Sequence, residues 1–374
     1  MNITSSELKR QNRSNIFHEI YNSKAVSKND LAKSLNLSMP TVSGALEELI
    51  RQNLVIREGR FDSTGGRPAS IYRCNSNSRV ALGVEILKDR TCIAALNLYG
   101  NVVASDTLEH QFSIDDSYFE ELGSFVNSFA DRCRTRFGEV LGAGISIPAI
   151  VDKESGRIVY SELLSTSDFT VDDLTSHVKL PCICRHDAES GAFAEIWHKK
   201  LNSDSIIIFL NNYLCNALVI DGKVHVSRNL SCGTVEHLVI HENGKKCYCS
   251  KCGCADAYCS ALSLLEKSGA DSVESFFEAV EKQEKQALAI WDEYLEDLAL
   301  IIDNVRMVIP CDIIISGLLL PFIRDQDIET LKTKARRKST FGQIDFNIRK
   351  GECDTDPVLT GSALSIISDF LGSV

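Results

Sequence analysis

Apolar positions in the first 75 residues recur at helical spacing in three short stretches. Leu8, Ile16, Ile20 and Tyr21 form a stripe over residues 5–23, interrupted by Lys9-Arg10-Gln11-Asn12-Arg13, and predict a first helix. Leu31, Ala32 and Leu35 give a second apolar face. Ser27 stands before it as N-cap and Asp30 at the third helical position, where an acid reaches back to the cap. Asn36-Leu37 predicts a tight turn. Ser38 then caps a third helix, with Pro40 in its first turn, where the missing N–H costs nothing. Val42, Leu46, Leu49 and Ile50 follow at the spacing of a one-sided helix, which leaves Thr41, Ser43 and Gly44 outward. Residues 54–57 and 70–73 alternate like strands around a polar loop, 58–68, that contains Gly59, Gly65 and Gly66.

The pattern changes after a polar linker at 75–78. Strands are predicted at 80–85, 92–98 and 102–104, a helix at 118–136, a buried strand at 140–146, and a strand at 182–185 leading into a helix at 187–198. A second series begins at 206–210. Its 218–220 and 223–226 segments flank Asp221-Gly222, a hairpin turn signal. Helices at 255–266, 271–281 and 283–308, a strand at 312–316 and a helix at 357–371 complete it. Hairpins followed by alternating helices and strands, occurring twice, predict two similar α/β halves. The expected division is residues 1–74 and residues 79–374.

Charge sharpens this division. The chain of 374 residues carries −11 overall, but residues 1–73 hold 11 Lys+Arg against 7 Asp+Glu, a net of +4 that leaves −15 on the remainder. A basic head on an acidic body fits nucleic-acid contact confined to the head. Two short helices joined by a turn, the second with a small polar outer face, predict a DNA-binding helix-turn-helix. The hairpin behind it predicts a wing whose tip is Gly65-Gly66-Arg67-Pro68. The candidate DNA-contacting residues are Lys28, Ser38, Met39, Thr41 and Ser43, with Arg67 suited to a minor groove. Met39 and Gly44 offer little bidentate grip on a guanine, so modest base reading and reliance on the wing are expected. No stretch reads as a signal peptide or approaches the roughly 20 apolar residues of a membrane span. A cytoplasmic protein is expected, and its fourteen cysteines then read as metal ligands and buried thiols.

His237, Cys247, Cys249 and Cys254 fall within eighteen residues. Three thiolates and an imidazole form a four-coordinate set suited to Zn²⁺ in a closed, structural site. Gly244 and Gly253 supply the turns. Cys252 is a possible replacement for one ligand, and Cys259 is a spare.

The helix-turn-helix, the Gly65-Gly66-Arg67-Pro68 wing and the segment from Gly233 through His237, Cys247, Cys249 and Cys254 together resemble the ROK family of repressors, open reading frames and sugar kinases. The N-terminal part resembles its repressor branch, such as xylose and N-acetylglucosamine regulators. The resemblance implies a winged helix-turn-helix head on an actin/hexokinase-like body of two α/β lobes. It further implies a sugar cleft between the lobes and a homo-oligomer, dimer or tetramer. His186-Asp187 stands in the family's Asn-Asp position, which places Asp187 at the catalytic base of the kinases. Cys232-Gly233-Thr234-Val235-Glu236-His237 stands where Ala-Gly-Glu-x-Gly-His is usual, so His237 matches a residue that binds zinc and faces the sugar, while Thr234 replaces a sugar-binding glutamate. Asp256 stands at a further sugar-binding acid. The implied effector site is His186, Asp187, Thr234, His237 and Asp256.

The kinases hold ATP phosphates on two glycine-rich turns, because backbone N–H groups must approach closely. Here the two turns read Glu85-Ile86-Leu87-Lys88-Asp89 and Asn211-Asn212-Tyr213-Leu214-Cys215-Asn216-Ala217, both without glycine. The expectation is therefore a sugar-controlled DNA-binding repressor of carbohydrate metabolism and not an enzyme. The alternatives are a sugar kinase with an accessory head and a DNA-binding dimer whose body has lost its ligand.

Overall fold

The computed structural model describes residues 4–60, 70–161, 164, 169–201, 203–226, 234–340, 346–353 and 355–374. Helix α1 (Ser5–Ser23) starts at a reciprocal cap between Thr4 and Glu7. Strand β1 (Val26–Ser27) leads into α2 (Lys28–Ser34), where Ser27 Oγ donates to Asp30 Oδ2 at 2.7 Å and accepts from Asp30 N at 3.2 Å. Helix α3 (Met39–Arg51) follows a turn in which Asn36 takes a φ of +51°. Strands β2 (Val55–Arg60) and β3 (Ser70–Cys74) pair antiparallel, and β1 joins them in the order β1-β3-β2.

Ile16, Phe17, Ile20, Leu31, Val42, Leu46 and Leu49 form the centre of this unit. Two expected core positions lie outside it. Leu8 is 52% exposed and Ile50 41% exposed. At 100° per residue Leu8 falls about 130° from the centre of the Ile16–Phe17–Ile20 face, and Ile50 about 80° round the axis from Val42.

The 75–78 linker is structured. Asn75 N donates to Leu54 O at 2.9 Å, and Ser76–Ser78 make one 3₁₀ turn with Ser78 buried. Tyr21 Oη donates to Leu98 O at 2.7 Å, and its ring lies 4.8 Å from that of Tyr99. The cores of the head and of the body are continuous.

The first lobe contains β4 (Arg79–Ile86), β5 (Arg90–Asn97), β6 (Val102–Glu109), α4 (Asp116–Phe137) and β7 (Glu139–Ile147). A small antiparallel sheet of β8 (Ile150–Asp152), β9 (Arg157–Tyr160) and β10 (Phe169–Thr170) comes next, then α5 (Val171–Thr175), β11 (Cys182–His186) and α6 (Asp187–His198). The main sheet has the order β11-β7-β4-β5-β6. The second lobe contains β12 (Ser205–Leu210), β13 (Leu214–Ile220) and β14 (Lys223–Val224), with Asp221 and Gly222 at φ +51° and +71° in the turn. Helices α7 (Asp256–Cys259), α8 (Ala261–Ser268), α9 (Val273–Glu281) and α10 (Lys285–Val308) precede β15 (Asp312–Ser316), α11 (Asp325–Lys338), β16 (Ile348–Lys350) and α12 (Pro357–Ser373). This sheet has the order β14-β13-β12-β15-β16. In each lobe an antiparallel three-strand meander is extended by two parallel strands, so the two expected halves share one topology.

Several elements depart from the sequence reading. The segment expected as a helix at 255–266 breaks at Ser260, which caps α8 with ψ 162°. Helix α11 was not anticipated, because only Asp327, Ile328, Leu331 and Ala335 of its fourteen residues are buried and its apolar signal is thin. The short β8, β9, β10 and β16 carry too few residues to show a period.

Helix α12 returns from the second lobe to lie on the first. A Cβ on Gly83 would stand 2.0 Å from Leu359 O, one on Gly144 2.3 Å from Ser362 O, and one on Gly361 1.8 Å from Ser190 O. Only glycine lets α12 approach β4, β7 and α6 this closely.

Candidate functional site

In the head, the candidate DNA-facing residues lie together. Ser38 is the N-cap of α3, its Oγ accepting from Thr41 N at 3.3 Å and lying 2.8 Å from Thr41 Oγ1. Ser43 Oγ donates to Met39 O at 2.8 Å and accepts from Lys28 Nζ at 3.1 Å, which ties α2 to α3. Met39 is exposed, and nothing lies within 4 Å of the place of a Cβ on Gly44. The surface is small, polar and open to close approach. The wing tip Gly65-Gly66-Arg67-Pro68 lies outside the described residues.

In the second lobe, the segment from 235 to 254 folds back on itself. Val239 bridges to Cys254 and Lys246 to Cys252. Gly253 N donates to Lys245 O, and Cys247 N to Lys251 O, both at 2.8 Å. Gly253 sits at φ +82°, where a Cβ would fall 1.8 Å from His241 O. This folding brings one ligand atom from each of His237, Cys247, Cys249 and Cys254 within 4.8 Å of the others. His237 Nδ1 and Cys247 Sγ are 3.8 Å apart, and Cys249 Sγ and Cys254 Sγ 3.6 Å. A tetrahedron with Zn–S of about 2.3 Å has edges of about 3.8 Å, so the donor set fits the ion. Cys252 is exposed and does not join the group.

Acidic side chains from the two lobes lie close enough to influence one another. His186 is the N-cap of α6, with Nδ1 accepting from Ala188 N at 3.3 Å and standing 3.0 Å from Asp187 Oδ1. Asp256, 6% exposed, accepts from Leu214 N at 2.7 Å, and burial pushes its carboxyl up to about 6. Thr234 is exposed and makes no side-chain cap bond to the 3₁₀ turn Val235–His237. Val235 N donates to Asn216 Oδ1 at 2.9 Å, and among the described residues the buried Asn216 Nδ2 has no partner.

Three acids missed in the sequence belong to the same cluster. Burial, with added repulsion from Asp187 and Asp256, pushes Glu236 up to about 8. Burial and the charges of Asp356 and Asp187 push Glu85 well above the usual carboxylate range. Asp356 caps α12, accepting from Val358 N and Leu359 N. Glu85 and Asp356 come from opposite ends of the chain, and no local signal links them. Glu236 was legible only as an acid where the ROK pattern has glycine.

The 211–217 turn, glycine-free in sequence, carries side chains that are engaged within the fold. Asn211 Oδ1 accepts from Leu318 N at 2.8 Å. The Tyr213 ring meets Tyr248 edge to face at 5.5 Å, and Tyr248 lies 5.2 Å from the His237 ring.

The sequence profile of the ROK family matches residues 81–320. The chain belongs to the ROK family. Its relatives include the xylose repressor of Caldicellulosiruptor bescii, 22% identical over 97% of each chain, and the DNA-binding transcriptional dual regulator NagC of Escherichia coli, 22% identical over 65% of this chain and 60% of NagC. Among solved structures, a ROK transcriptional regulator homologous to the E. coli MLC protein aligns at TM-score 0.74 and 19% identity over 98% of this chain and 97% of that one. A ROK glucokinase of Streptomyces griseus, in complex with glucose and AMPPNP, aligns at TM-score 0.67 and 14% identity over 76% of this chain and 98% of that one. The two-lobed fold is thus common to ROK regulators and ROK kinases. No helix among the described residues is long and apolar enough to cross a membrane.

Proposed function

We propose that this ROK protein is a DNA-binding transcriptional regulator of carbohydrate metabolism, a repressor that binds a sugar effector between its lobes. Residues 1–74 form a winged helix-turn-helix head and residues 79–374 the effector-binding and oligomerisation body. One observation carries the reading. The head shares a hydrophobic core with α12, whose N-cap, Asp356, belongs to the acidic cluster and whose C-cap, Val374, accepts from Arg13 in α1 at 3.4 Å. A ligand that prefers one lobe arrangement would thereby bias the head, to the extent of its preference.

In this reading Lys28, Ser38, Met39, Thr41 and Ser43 face the major groove and Arg67 the minor groove. Two heads in a homodimer, or four in a tetramer, read half-sites separated by whole helical turns of a double-stranded operator. His186, Asp187, Thr234, His237 and Asp256 line the effector site. Zn²⁺ held by His237, Cys247, Cys249 and Cys254 supplies structure, pinning the loop that presents His237. The names of the xylose repressor and NagC support the carbohydrate assignment. The glycine-free turns at 85–89 and 211–217 support a regulator over a kinase, since positioning of the nucleotide is most of phosphoryl-transfer catalysis.

The test is selection of operator DNA from random duplexes by the full-length protein, followed by titration of the complex with sugars. The expected result is a palindromic site whose affinity changes with one sugar class. Absence of any selected sequence would refute the regulator. Sugar-dependent ATP consumption would restore the kinase. Arg67→Ala is expected to weaken operator binding markedly and lower its salt dependence.

A further inference from the structure

Resting on the proposal that the head binds duplex DNA, we propose that α3 reads thymine by its C5-methyl group, with Met39 the specificity-determining residue. The inference starts from the hydrogen-bond donors that the outer turns of α3 present. Ser38, Met39, Pro40, Gly44 and Glu47 are exposed ahead of its last turn. Pro40 and Gly44 carry no polar side-chain atom, and the Glu47 carboxylate only accepts. Ser43 spends its hydroxyl proton on Met39 O at 2.8 Å and accepts from Lys28 Nζ at 3.1 Å. The Ser38 and Thr41 hydroxyls lie 2.8 Å apart, and Ser38 Oγ also accepts from Thr41 N, so one hydroxyl proton remains between them. A hydroxyl serves any base and carries little sequence information.

Guanine presents two acceptors, N7 and O6, in the major groove and is read by the donors of an Arg or Lys; adenine is read by the amide of an Asn or Gln. None of these four residue types occurs in α3 before Arg51. Arg51 stands about 18 Å along the helix axis from Met39, whereas the N-terminal residues of a recognition helix are the ones that reach base edges. Glu47 supplies a further acceptor, which near guanine N7 and O6 meets two more. The exposed part of α3 therefore has no means of reading a purine by paired hydrogen bonds.

What α3 offers instead is an apolar tip. Met39 is 43% exposed at the first helical position, and its side chain is long, unbranched and polarisable. Nothing lies within 4 Å of the place of a Cβ on Gly44, so the helix backbone is bare there and a base edge can come close. The apolar feature of the major groove is the thymine methyl group. Moving that group out of water onto an apolar side chain is worth about fourfold in affinity. Lys28 also touches this turn through Ser43. It comes from the start of α2, and its ammonium is a point charge suited to phosphate, which positions the head without reading sequence.

The experiment uses the full-length protein and the duplex it selects from a random pool. Each thymine of the selected site is replaced in turn by uracil, which removes the C5-methyl group alone and alters the major groove alone, and binding is measured by fluorescence anisotropy. At one thymine of a half-site the replacement is expected to weaken binding about fourfold. Met39→Ala is expected to weaken binding to the thymine duplex by a similar factor and to bind the uracil duplex equally well. Met39→Leu, still apolar, is expected to keep most of the discrimination. Any effect of the methyl group on the duplex itself persists in every variant, so the coupling isolates the contact. Gly44→Arg places paired donors in open space and is expected to move one selected position toward guanine. Uracil within about twofold of thymine at every position, an undiminished uracil penalty in Met39→Ala, or a selected site without thymine overturns the methyl assignment and leaves the DNA-binding reading standing. Failure to select any sequence overturns both.

Discussion

Ser316 Oγ donates to Glu195 Oε1 at 2.5 Å, with both side chains buried, and so joins the end of β15 in the second lobe to α6 in the first. Glu195 Oε2 accepts from Glu352 N at 2.7 Å, and a Cβ on Gly351 would fall 2.2 Å from Oε1. Glu195 lies two turns along α6 from Asp187, so the helix that presents Asp187 to the cleft is also the one clasped by the other lobe. Glu195→Ala strands a buried hydroxyl and a backbone N–H. The expected loss is about 3 kcal/mol of unfolding free energy, measured by urea denaturation, with Glu195→Gln milder. An unchanged midpoint would show that the clasp is idle.

The metal set makes a prediction that separates neighbouring cysteines. Cys249→Ala is expected to release the ion, since it removes one of four donors from a closed site, and to lower the melting temperature of the second lobe. Cys252→Ala is expected to retain the ion, because Cys252 is exposed and stands apart from the cluster. Elemental analysis after desalting distinguishes the two. Retention by the first variant and loss by the second would move the ligand to Cys252. Chelation of the wild type is expected to mimic Cys249→Ala.

Glu85 sets a pH dependence of known sign. Its carboxyl is raised in the folded state by burial and by the charges of Asp356 and Asp187, so the folded protein holds a proton that the unfolded chain releases near pH 4.5. The stability associated with that proton is full below the unfolded value. It is lost as pH rises through the raised folded value. Glu85→Gln keeps the size and removes the titration. Its advantage over wild type is expected to grow from about pH 5 upward, read as the difference in melting temperature across a pH series. A difference that stays flat would remove Glu85 from this role.

The continuity of head and body predicts how the chain unfolds. Tyr21 hydrogen-bonds Leu98 O, packs its ring against Tyr99 at a tilt of 36°, and packs against a core that includes Leu364, Ile367 and Leu371 of α12. In the absence of DNA, head and first lobe are expected to melt as one calorimetric transition. Tyr21→Phe is expected to cost about 1 kcal/mol and to shift that transition whole. A separate low-temperature transition of the head would contradict the shared core.

Much of the head and the metal loop was legible because its determinants are local. Ser27 with Asp30, and Ser38 with Thr41, are caps written within four residues, and capping is decided by the backbone immediately downstream. Asp221-Gly222 specifies its turn through positive φ at two adjacent positions. The four candidate metal ligands occupy one short segment, so donor type and spacing point to one ion without knowledge of the fold. The repeated hairpin-and-crossover pattern likewise announced two α/β halves.

Tertiary structure alone decided what depends on elements far apart in the chain. Helical period placed Leu8 and Ile50 near apolar stripes, but burial is set by which neighbour covers a face, and none covers theirs. Glu85, Asp356 and Glu236 join one acidic cluster only when β4, the start of α12 and the 3₁₀ turn before the cysteine-rich loop converge. Their charges are then felt at short range and low dielectric, which no sequence spacing encodes. The placement of α12 between cleft and head rests on Gly83, Gly144 and Gly361, each ordinary in sequence and each required by a backbone less than 2.5 Å from its absent Cβ. Sequence determined the parts by local conformational preference; packing determined which parts meet, and so set α12 against both the acidic cluster and the head.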